Sequence, residues 1–459
     1  MWIFIIYLGL LIFLGLKARR KNPTEEEFLL NNRSLSIPAF VATLVTTWYG
    51  GILGVGEFIH SYGVSAWFVF GLPYYIFALL FALFLAPKIR AANNISIPDM
   101  LYNTYNKKAG LLGSLFLLIM TSPAPYILML AVLIQSTFNI SFINSVLLGT
   151  FFSVFYVFWG GFRSIVQTDK LQFVLMFSGF ILLLIYMLKS PVSLTDLPKQ
   201  LDAAHKSLSG GLPWQQIIVW FFIASWTFID PGFHQRCAAA RSPQTARRGI
   251  IISIGFWFVF DMLTLLTGLY AFVFFPDIDP LTIYPHAASH FLPPVLQGLF
   301  LTGLLAIIMS TVDSFTFLSA LTFGRDIMWR WKNNLNINSY VRIGLVLTAV
   351  ISILLIFWLP SVIELWYNLG SLFIPPLLLP LLFTYFPKFK MSARLTTTVM
   401  ASAFLLAFSW FLWGQINAEA GMPVYPFELE PFFPGLLWSV LLYTANYFLR
   451  KNQIYSTKQ

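Results

Sequence analysis

The sequence predicts an all-α polytopic membrane protein, and three observations carry that prediction. Of 459 residues, 58% are hydrophobic and only 10% are charged, where a soluble domain carries about 25% charged residues. Apolar runs long enough to cross a bilayer recur from one end of the chain to the other. All but Lys189, Lys199 and Lys206 of the 28 basic residues fall in alternate short loops between those runs or in the tail after the last one. The formal charge of +10 therefore reports topology and is not a nucleic-acid footprint. Composition thus names the lipid bilayer as a partner and gives no reason to expect nucleic acid. Cys237 is the one cysteine, which rules out a disulfide within the chain.

Taken in order, thirteen spans are expected at about 1–17, 37–59, 66–87, 110–134, 140–160, 171–189, 213–232, 249–274, 293–323, 341–360, 364–386, 395–414 and 429–449. The opening run lacks a basic leader and a small-residue cleavage site, and it ends in Lys17, Arg19, Arg20 and Lys21, so it reads as a retained first span. Further basic groups follow the third span (Lys88, Arg90, Lys107, Lys108), the fifth (Arg163, Lys170) and the seventh (Arg236, Arg241, Arg247, Arg248). Others follow the ninth (Arg325, Arg330, Lys332, Arg342) and the eleventh (Lys388, Lys390, Arg394). The opposite side holds only Lys189, Lys199 and Lys206. This bias puts the amino terminus outside and the carboxyl terminus in the cytoplasm. On the outer side, 191–211 is polar enough for an external loop with a short helix. The segment 276–294 holds His286 and His290, which read as surface histidines before they read as a metal site. The proline-rich, acidic stretch 418–431 reads as a stiff external loop.

Several spans carry interruptions. The second contains Thr46, Thr47, Trp48 and Tyr49, then Gly50, Gly51, Gly54, Gly56 and Glu57. Glycines and hydroxyls at membrane depth predict either an unwound segment whose carbonyls face a cavity or close packing through small residues. Pro123 and Pro125 predict a break in the fourth span beside Tyr126, and Gly370 with Pro375, Pro376 and Pro380 predicts another in the eleventh. Glu57 reads first as a structural or gating group and second as a substrate contact. Asp169, at the inner start of the sixth span, reads either as a helix cap or as a carboxylate reaching the ninth span. Asp230, Pro231 and Gly232 end the seventh span near the inner face. They lead into a basic loop, 234–249, expected to anchor topology and movable helix ends.

The stretch 304–326 is the most informative. It carries Ser310, Thr311, Asp313, Ser314, Thr316 and Ser319 inside an apolar run. On a helix, Ser310, Asp313 and Ser314 share one face and Thr311 joins at its edge. An acid and hydroxyls in hydrocarbon face a cavity, a partner or an ion. The reading here is that these oxygens hold a cation.

Four pieces together resemble the sodium:solute symporter family. They are LAIIMSTVDSF at 305–315, WGGFRSIVQTD at 159–169, DPGFHQRCAAARSPQTAR at 230–247, and the run from Val362 through Trp366, Gly370 and Pro375. The resemblance implies a single transporter domain with an inverted five-plus-five helix repeat. Residues 37–189 (spans 2–6) would form the first repeat and 213–386 (spans 7–11) the second. Residues 1–17 would be a peripheral first helix and 395–449 two more. The first helix of each repeat would be broken near the membrane middle. The resemblance also implies Na+ as coupling ion, bound by the hydroxyls of Ser310 and Thr311 and the carbonyls of Thr46, Tyr49 and Ile307. A hard cation suits such oxygen donors. A second cation site found in some members carries over to Asp169, Ser310, Asp313 and Ser314. Asp313 departs from members with serine there, which leaves open a strengthened sodium site or a proton carrier. The implied solute pocket draws on Leu53, Gly54 and Glu57, on Pro125, Tyr126 and Gln135, on Trp220, Ser225, Trp226 and Phe228, and on Trp366, Tyr367 and Asn368. In a chain with 48 Phe and 15 Trp, interfacial anchoring competes with that reading of the aromatics.

The expected function is therefore a sodium-driven secondary active symporter importing a small organic solute by alternating access. The solute class stays open among sugar-like, amino-acid-like and carboxylate-bearing molecules. The protein is expected to act as a monomer in a bacterial plasma membrane. The alternative is a proton-coupled carrier of the same fold, with Asp313 or Asp169 titrating. A sensor module is disfavoured by the nine residues after Arg450. An enzyme is not expected, because the chain offers no nucleotide-binding loop or triad, and His234 with Asp230 is a thin substitute.

Overall fold

The computed structural model describes the whole chain except residues 1, 22, 333, 335, 359–361, 420–422 and 457–459. The bilayer core offers no water to unpaired backbone groups, so helices that satisfy their own amides are the expected solution. The principal helices are α1 (Trp2–Lys17), α2 (Ile37–Trp48), α3 (Ile52–Tyr62), α4 (Leu72–Phe84), α5 (Lys107–Met120), α6 (Ala124–Phe138), α7 (Phe142–Met187), α8 (Trp214–Ile223), α9 (Pro231–Ala239), α10 (Pro243–Phe274), α11 (Pro294–Leu321), α12 (Ile337–Trp358), α13 (Val362–Thr384), α14 (Ala393–Ile416) and α15 (Phe432–Ser456). Among the described residues, ten helical stretches are long and apolar enough to cross a membrane, so the expected count of thirteen is not reached. The other three expectations fall on α1, on the first part of α7, and on α15.

α7 and α11 form the largest helix pairing in the chain. α11 is buried at every position from Phe300 to Leu321, as befits a helix at the centre of a bundle. α7 covers two expected spans in one helix bent at Gly161 (φ 58°). A Cβ there would lie 2.6 Å from the Phe28 carbonyl, so only glycine fits both the backbone angle and the approach.

The second span is broken between α2 and α3 by a tight turn over Tyr49–Gly51. The close-packing reading of its glycines holds throughout, and the interruption itself is a hydrogen-bonded turn. Gly50 and Gly51 form the break, and Gly54 and Gly56 lie inside regular α3, packed on Trp366 and Tyr284. The seventh span is broken as well. After α8 a short turn, Trp226–Ile229, leads to an extended Asp230, which caps α9 by accepting the Phe233 amide at 3.0 Å. The fourth span breaks at Thr121–Pro123, between α5 and α6. The break expected in the eleventh span is absent, because α13 runs through Pro375, Pro376 and Pro380. Lateral bonds pin that helix to its neighbours: Tyr105 donates to the Pro380 carbonyl at 3.0 Å and Ser439 to the Pro375 carbonyl at 2.9 Å. Neighbouring helices of this kind are what makes proline tolerable at such depth.

One end of the bundle is clasped. The Leu35 amide donates to the Ala239 carbonyl at 3.0 Å and the Arg241 amide to the Leu35 carbonyl at 3.1 Å. This joins the chain entering α2 to the chain leaving α9. Arg33 adds a bond to the Ala238 carbonyl at 3.1 Å and Arg90 one to the Ala240 carbonyl at 2.5 Å. At the other end the loop 191–211 holds two short helices, Leu197–Gln200 and Ala203–Lys206. His286 and His290 are exposed beside Phe275, in keeping with surface histidines.

Candidate functional site

α11 brings Ser310, Thr311, Asp313 and Ser314 to the middle of the bundle, each at most 1% exposed. Facing them is the broken pair α2 and α3. The Thr311 hydroxyl donates to the Thr47 carbonyl at 2.7 Å, at the edge of the break. This approach needs glycine opposite, since a Cβ on Gly50 would lie 2.1 Å from the Thr311 side chain. Ser310 sits one residue before Thr311, and its hydroxyl donates to Asp169 Oδ1 at 2.6 Å. Asp169 therefore does not cap a helix. It lies within α7, fully buried, and its carboxylate reaches α11.

The remaining predicted cation ligands come from α2, the break and α11. Ile307 lies one turn before Ser310 and Thr311 on α11 and is fully buried. The Thr46 hydroxyl donates to the Ala42 carbonyl at 2.8 Å, which leaves its oxygen lone pairs as acceptors. The Tyr49 carbonyl accepts the Ile52 amide across the turn, and the Tyr49 phenol donates to Asp261 Oδ1 at 2.7 Å. Neutral hydroxyls and carbonyls beside a break are a donor set suited to an alkali cation.

Three groups that the sequence reading named without placing them among the cation ligands join the site. Thr43 and Thr47 lie four apart on α2, on one face. Thr43 donates to Asp169 Oδ2, and the Thr47 hydroxyl lies 3.1 Å from that of Ser314 and 3.4 Å from that of Ser310. The third is Arg236, expected in a cytoplasmic loop. It is instead fully buried on α9. Its Nη2 donates to Thr47 at 2.7 Å and to Thr43 and Ser314 at 3.0 Å each. A basic residue just past an apolar run reads as a topology marker, and nothing local in the sequence says that it turns inward.

Beside the break lies a cavity of about 100 Å³. Trp48, Tyr74, Tyr126, Trp220, Trp226 and Trp366 wall it, with Asp230, Asp261 and Arg236 also on its surface. Gly51 admits the Trp366 ring, which a Cβ would meet at 2.1 Å. Asp261 accepts the Tyr75 phenol as well as that of Tyr49.

Of the expected pocket residues, Tyr126, Trp220, Trp226 and Trp366 thus reach one wall. Ser225 is buried, and among the described residues its hydroxyl meets no hydrogen-bond partner. Gly54 backs Trp366 from behind, and Leu53 and Pro125 are buried without facing the cavity. Glu57 and Asn368 are half-buried and also lie off its wall. Tyr367 packs its ring 5.5 Å from Trp220, and Phe228 packs on Phe81. Gln135 is exposed near the end of α6 and is not brought to the cavity, because the turn it occupies lies beyond the packed part of the helix.

Comparison with known proteins extends this picture. The model of the sodium:solute symporter family matches residues 28–394. A sodium/pantothenate symporter of Haemophilus influenzae is 27% identical over 400 residues, spanning 80% of each chain. The high-affinity proline transporter PutP of Bacillus subtilis is 24% identical over 463 residues, spanning 94% of each. High-affinity choline transporter 1 of Drosophila melanogaster is 25% identical over 79% of this chain and 62% of its own length. Among solved structures, a Na+-coupled sialic acid symporter in a substrate-bound outward-open state matches with a TM-score of 0.80 at 16% identity, covering 97% of this chain and 96% of that one. Mhp1, a nucleobase-cation-symport-1 family transporter, matches with a TM-score of 0.60 at 14% identity, covering 92% and 94%. These likenesses show the fold, an all-helical transporter core built on an inverted five-plus-five repeat. The family match spans most of the polypeptide, and the chain belongs to the sodium:solute symporter family.

Proposed function

We propose that sodium and a small organic solute share this site. Sodium is held between the break after Trp48 and the middle of α11, by the hydroxyls of Ser310 and Thr311 and the carbonyls of Thr46, Tyr49 and Ile307. The observation that carries this reading is the Thr311 hydroxyl resting on the Thr47 carbonyl at the break. It brings α11 within one ion's reach of the unwound backbone. The solute occupies the aromatic cavity beside the break, where Tyr126, Trp226 and Trp366 close around it. Relatives that carry proline, pantothenate and choline support a solute of that size.

Residues 37–189 and 213–386 form the two repeats, with 1–17 and 395–449 peripheral to them. The basic loops place the amino terminus outside a bacterial plasma membrane and the carboxyl terminus in the cytoplasm, and one chain suffices for the cycle. External sodium favours the outward-open form and raises affinity for the solute, and the solute in turn raises affinity for sodium by the same factor. Each charge carried inward gains about 2.3 kcal/mol per 100 mV of membrane potential.

The test is uptake of a panel of labelled solutes into proteoliposomes under an imposed sodium or proton gradient. Sodium alone should drive accumulation, and Ser310→Ala with Thr311→Ala should abolish it while the protein stays folded in the membrane. Uptake that follows the proton gradient alone, or that survives the double substitution, overturns this reading.

A further inference from the structure

A second cavity, of about 550 Å³, opens between the end of α13, the turn Pro387–Phe389 and the last turns of α15. It shares no lining residue with the solute cavity. It lies at the end of the bundle that carries the basic loops, where Lys88 donates to the Tyr385 carbonyl at 3.1 Å. Part of its wall belongs to a small apolar cluster separate from the main core, in which Phe383 packs against Met391 and Tyr443. Lys388 and Lys390 stand on the same wall, and among the described residues no acidic side chain lines it. Lys390 is also drawn to the Tyr105 ring, 5.8 Å from its Nζ. Phe389, Tyr447 and Phe448 line the cavity and are exposed. Exposed rings beside lysines are what the headgroup level of a bilayer selects.

Tyr443 is a second and independent pointer. Its side chain is buried, only 6% exposed, with its ring edge-on to Phe383 at 5.0 Å. Its hydroxyl nevertheless meets no hydrogen-bond partner among the described residues, which is costly for a buried group. The Asn446 side-chain oxygen on the same wall also meets none. Two ammonium groups and a buried phenol therefore offer donors to one space, with an amide oxygen beside them as acceptor. An anionic group that also carries hydroxyls answers all four.

We propose that this cavity binds the headgroup of an anionic phospholipid of the phosphatidylglycerol type. Lys388 and Lys390 attract the phosphate, Tyr443 donates to one of its oxygens, and Asn446 accepts from a headgroup hydroxyl. A basic pocket between spanning helices at the headgroup level suits such a lipid. Its acyl chains lie along the outer side of α15, where Leu441 and Phe448, seven positions apart on one face, are both exposed. The lipid thereby ties α15 to the end of α13.

Native mass spectrometry of the purified full-length chain tests this, with dioleoyl phosphatidylglycerol and dioleoyl phosphatidylcholine as probes. The wild type should retain phosphatidylglycerol at least about tenfold better than phosphatidylcholine. Lys388→Gln with Lys390→Gln removes two charges at the headgroup level and should weaken retention at least about tenfold. Tyr443→Phe, which removes only the hydroxyl, should weaken it several-fold. Lys17→Gln with Arg19→Gln removes the same charge outside the cavity and should change nothing. Equal retention of the two lipids, retention untouched by the Lys388 and Lys390 pair, or an equal loss in the Lys17 and Arg19 pair would overturn the proposal. So would unchanged retention in Tyr443→Phe, which would leave only attraction to surface charge. Inorganic phosphate that displaces the lipid, where chloride at equal ionic strength does not, would make this a free-phosphate site and overturn the lipid assignment.

Discussion

Gly50 is where a single methyl group decides the site. Thr311 reaches the Thr47 carbonyl only because nothing projects from the residue opposite, and a Cβ there would stand 2.1 Å from the threonine side chain. Core packing does not absorb an overlap of that size without displacing a helix. Gly50→Ala should therefore lower sodium affinity at least about tenfold, a loss of about 1.4 kcal/mol, as read by equilibrium sodium binding. Gly255→Ala, whose added Cβ meets nothing within 4 Å, should bind like the wild type, and equal affinity in both variants would show that the close approach does not matter. At this scale the sequence was legible wherever a residue type conflicted with its surroundings. Ser310, Thr311 and Asp169 stand out because hydroxyls and an acid sit in apolar runs. Thr43 and Thr47 carry the same signal, four apart on α2. Arg236 carried no such signal. Its partners Thr43 and Thr47 lie 193 and 189 positions away, and a basic residue near the end of a span looks like a loop residue whether it turns outward or inward.

Among the helices, punctuation by glycine and proline located the breaks at Tyr49–Gly51 and Thr121–Pro123 but overstated the one in α13. Proline removes donors from a helix wherever it occurs. Whether the helix parts depends on neighbours such as Tyr105 and Ser439, which a linear reading does not reveal. The outer loop gives an element that can be tested by pH. Asp202 caps the helix Ala203–Lys206 by accepting the His205 amide at 2.8 Å, and it also meets the His205 ring at 2.9 Å. His205 in turn lies 2.8 Å from the His60 carbonyl and stacks on Phe272. The backbone bond from His205, with its ring contact next, holds the Asp202 carboxyl below its ordinary value of 3.8. A depressed carboxyl stabilises the folded loop fully above its unfolded value and loses that contribution as pH falls through the folded one. The loop should thus stay docked above about pH 4 and loosen below it. Hydrogen exchange at residues 203–206 should rise in that window in the wild type. In Asp202→Ala, which removes the accepting oxygen, it should be fast already at neutral pH, and the same protection in both at pH 7 would show that the cap does not hold the loop.

For the whole molecule, the question is which end opens and what holds it shut. The clasp joining Leu35 to Ala239 and Arg241 closes one end, with Arg33 and Arg90 bonded across it. If that end faces the cytoplasm, as the basic loops predict, alternating access requires the clasp to part and α9 to be uncovered. The chain carries its own reporter of that event, because its one cysteine, Cys237, lies on α9 and is fully buried. N-ethylmaleimide applied from the cytoplasmic side should then label Cys237 only in molecules whose inner end is open. Sodium shifts that population by its preference for the closed-inside form, and a tenfold preference is worth about 1.4 kcal/mol. Saturating sodium should accordingly slow labelling about tenfold, and potassium at equal ionic strength should not. Arg90→Ala removes a charge-assisted bond to the Ala240 carbonyl, a contribution of about 1.5 kcal/mol, and should speed labelling by a similar factor without sodium. Slow labelling in every condition would mean that α9 stays covered through the cycle. Fast labelling unaffected by sodium or by Arg90 would mean that this clasp is not the inner gate. Either result would separate the site at the break from the motion it is proposed to drive.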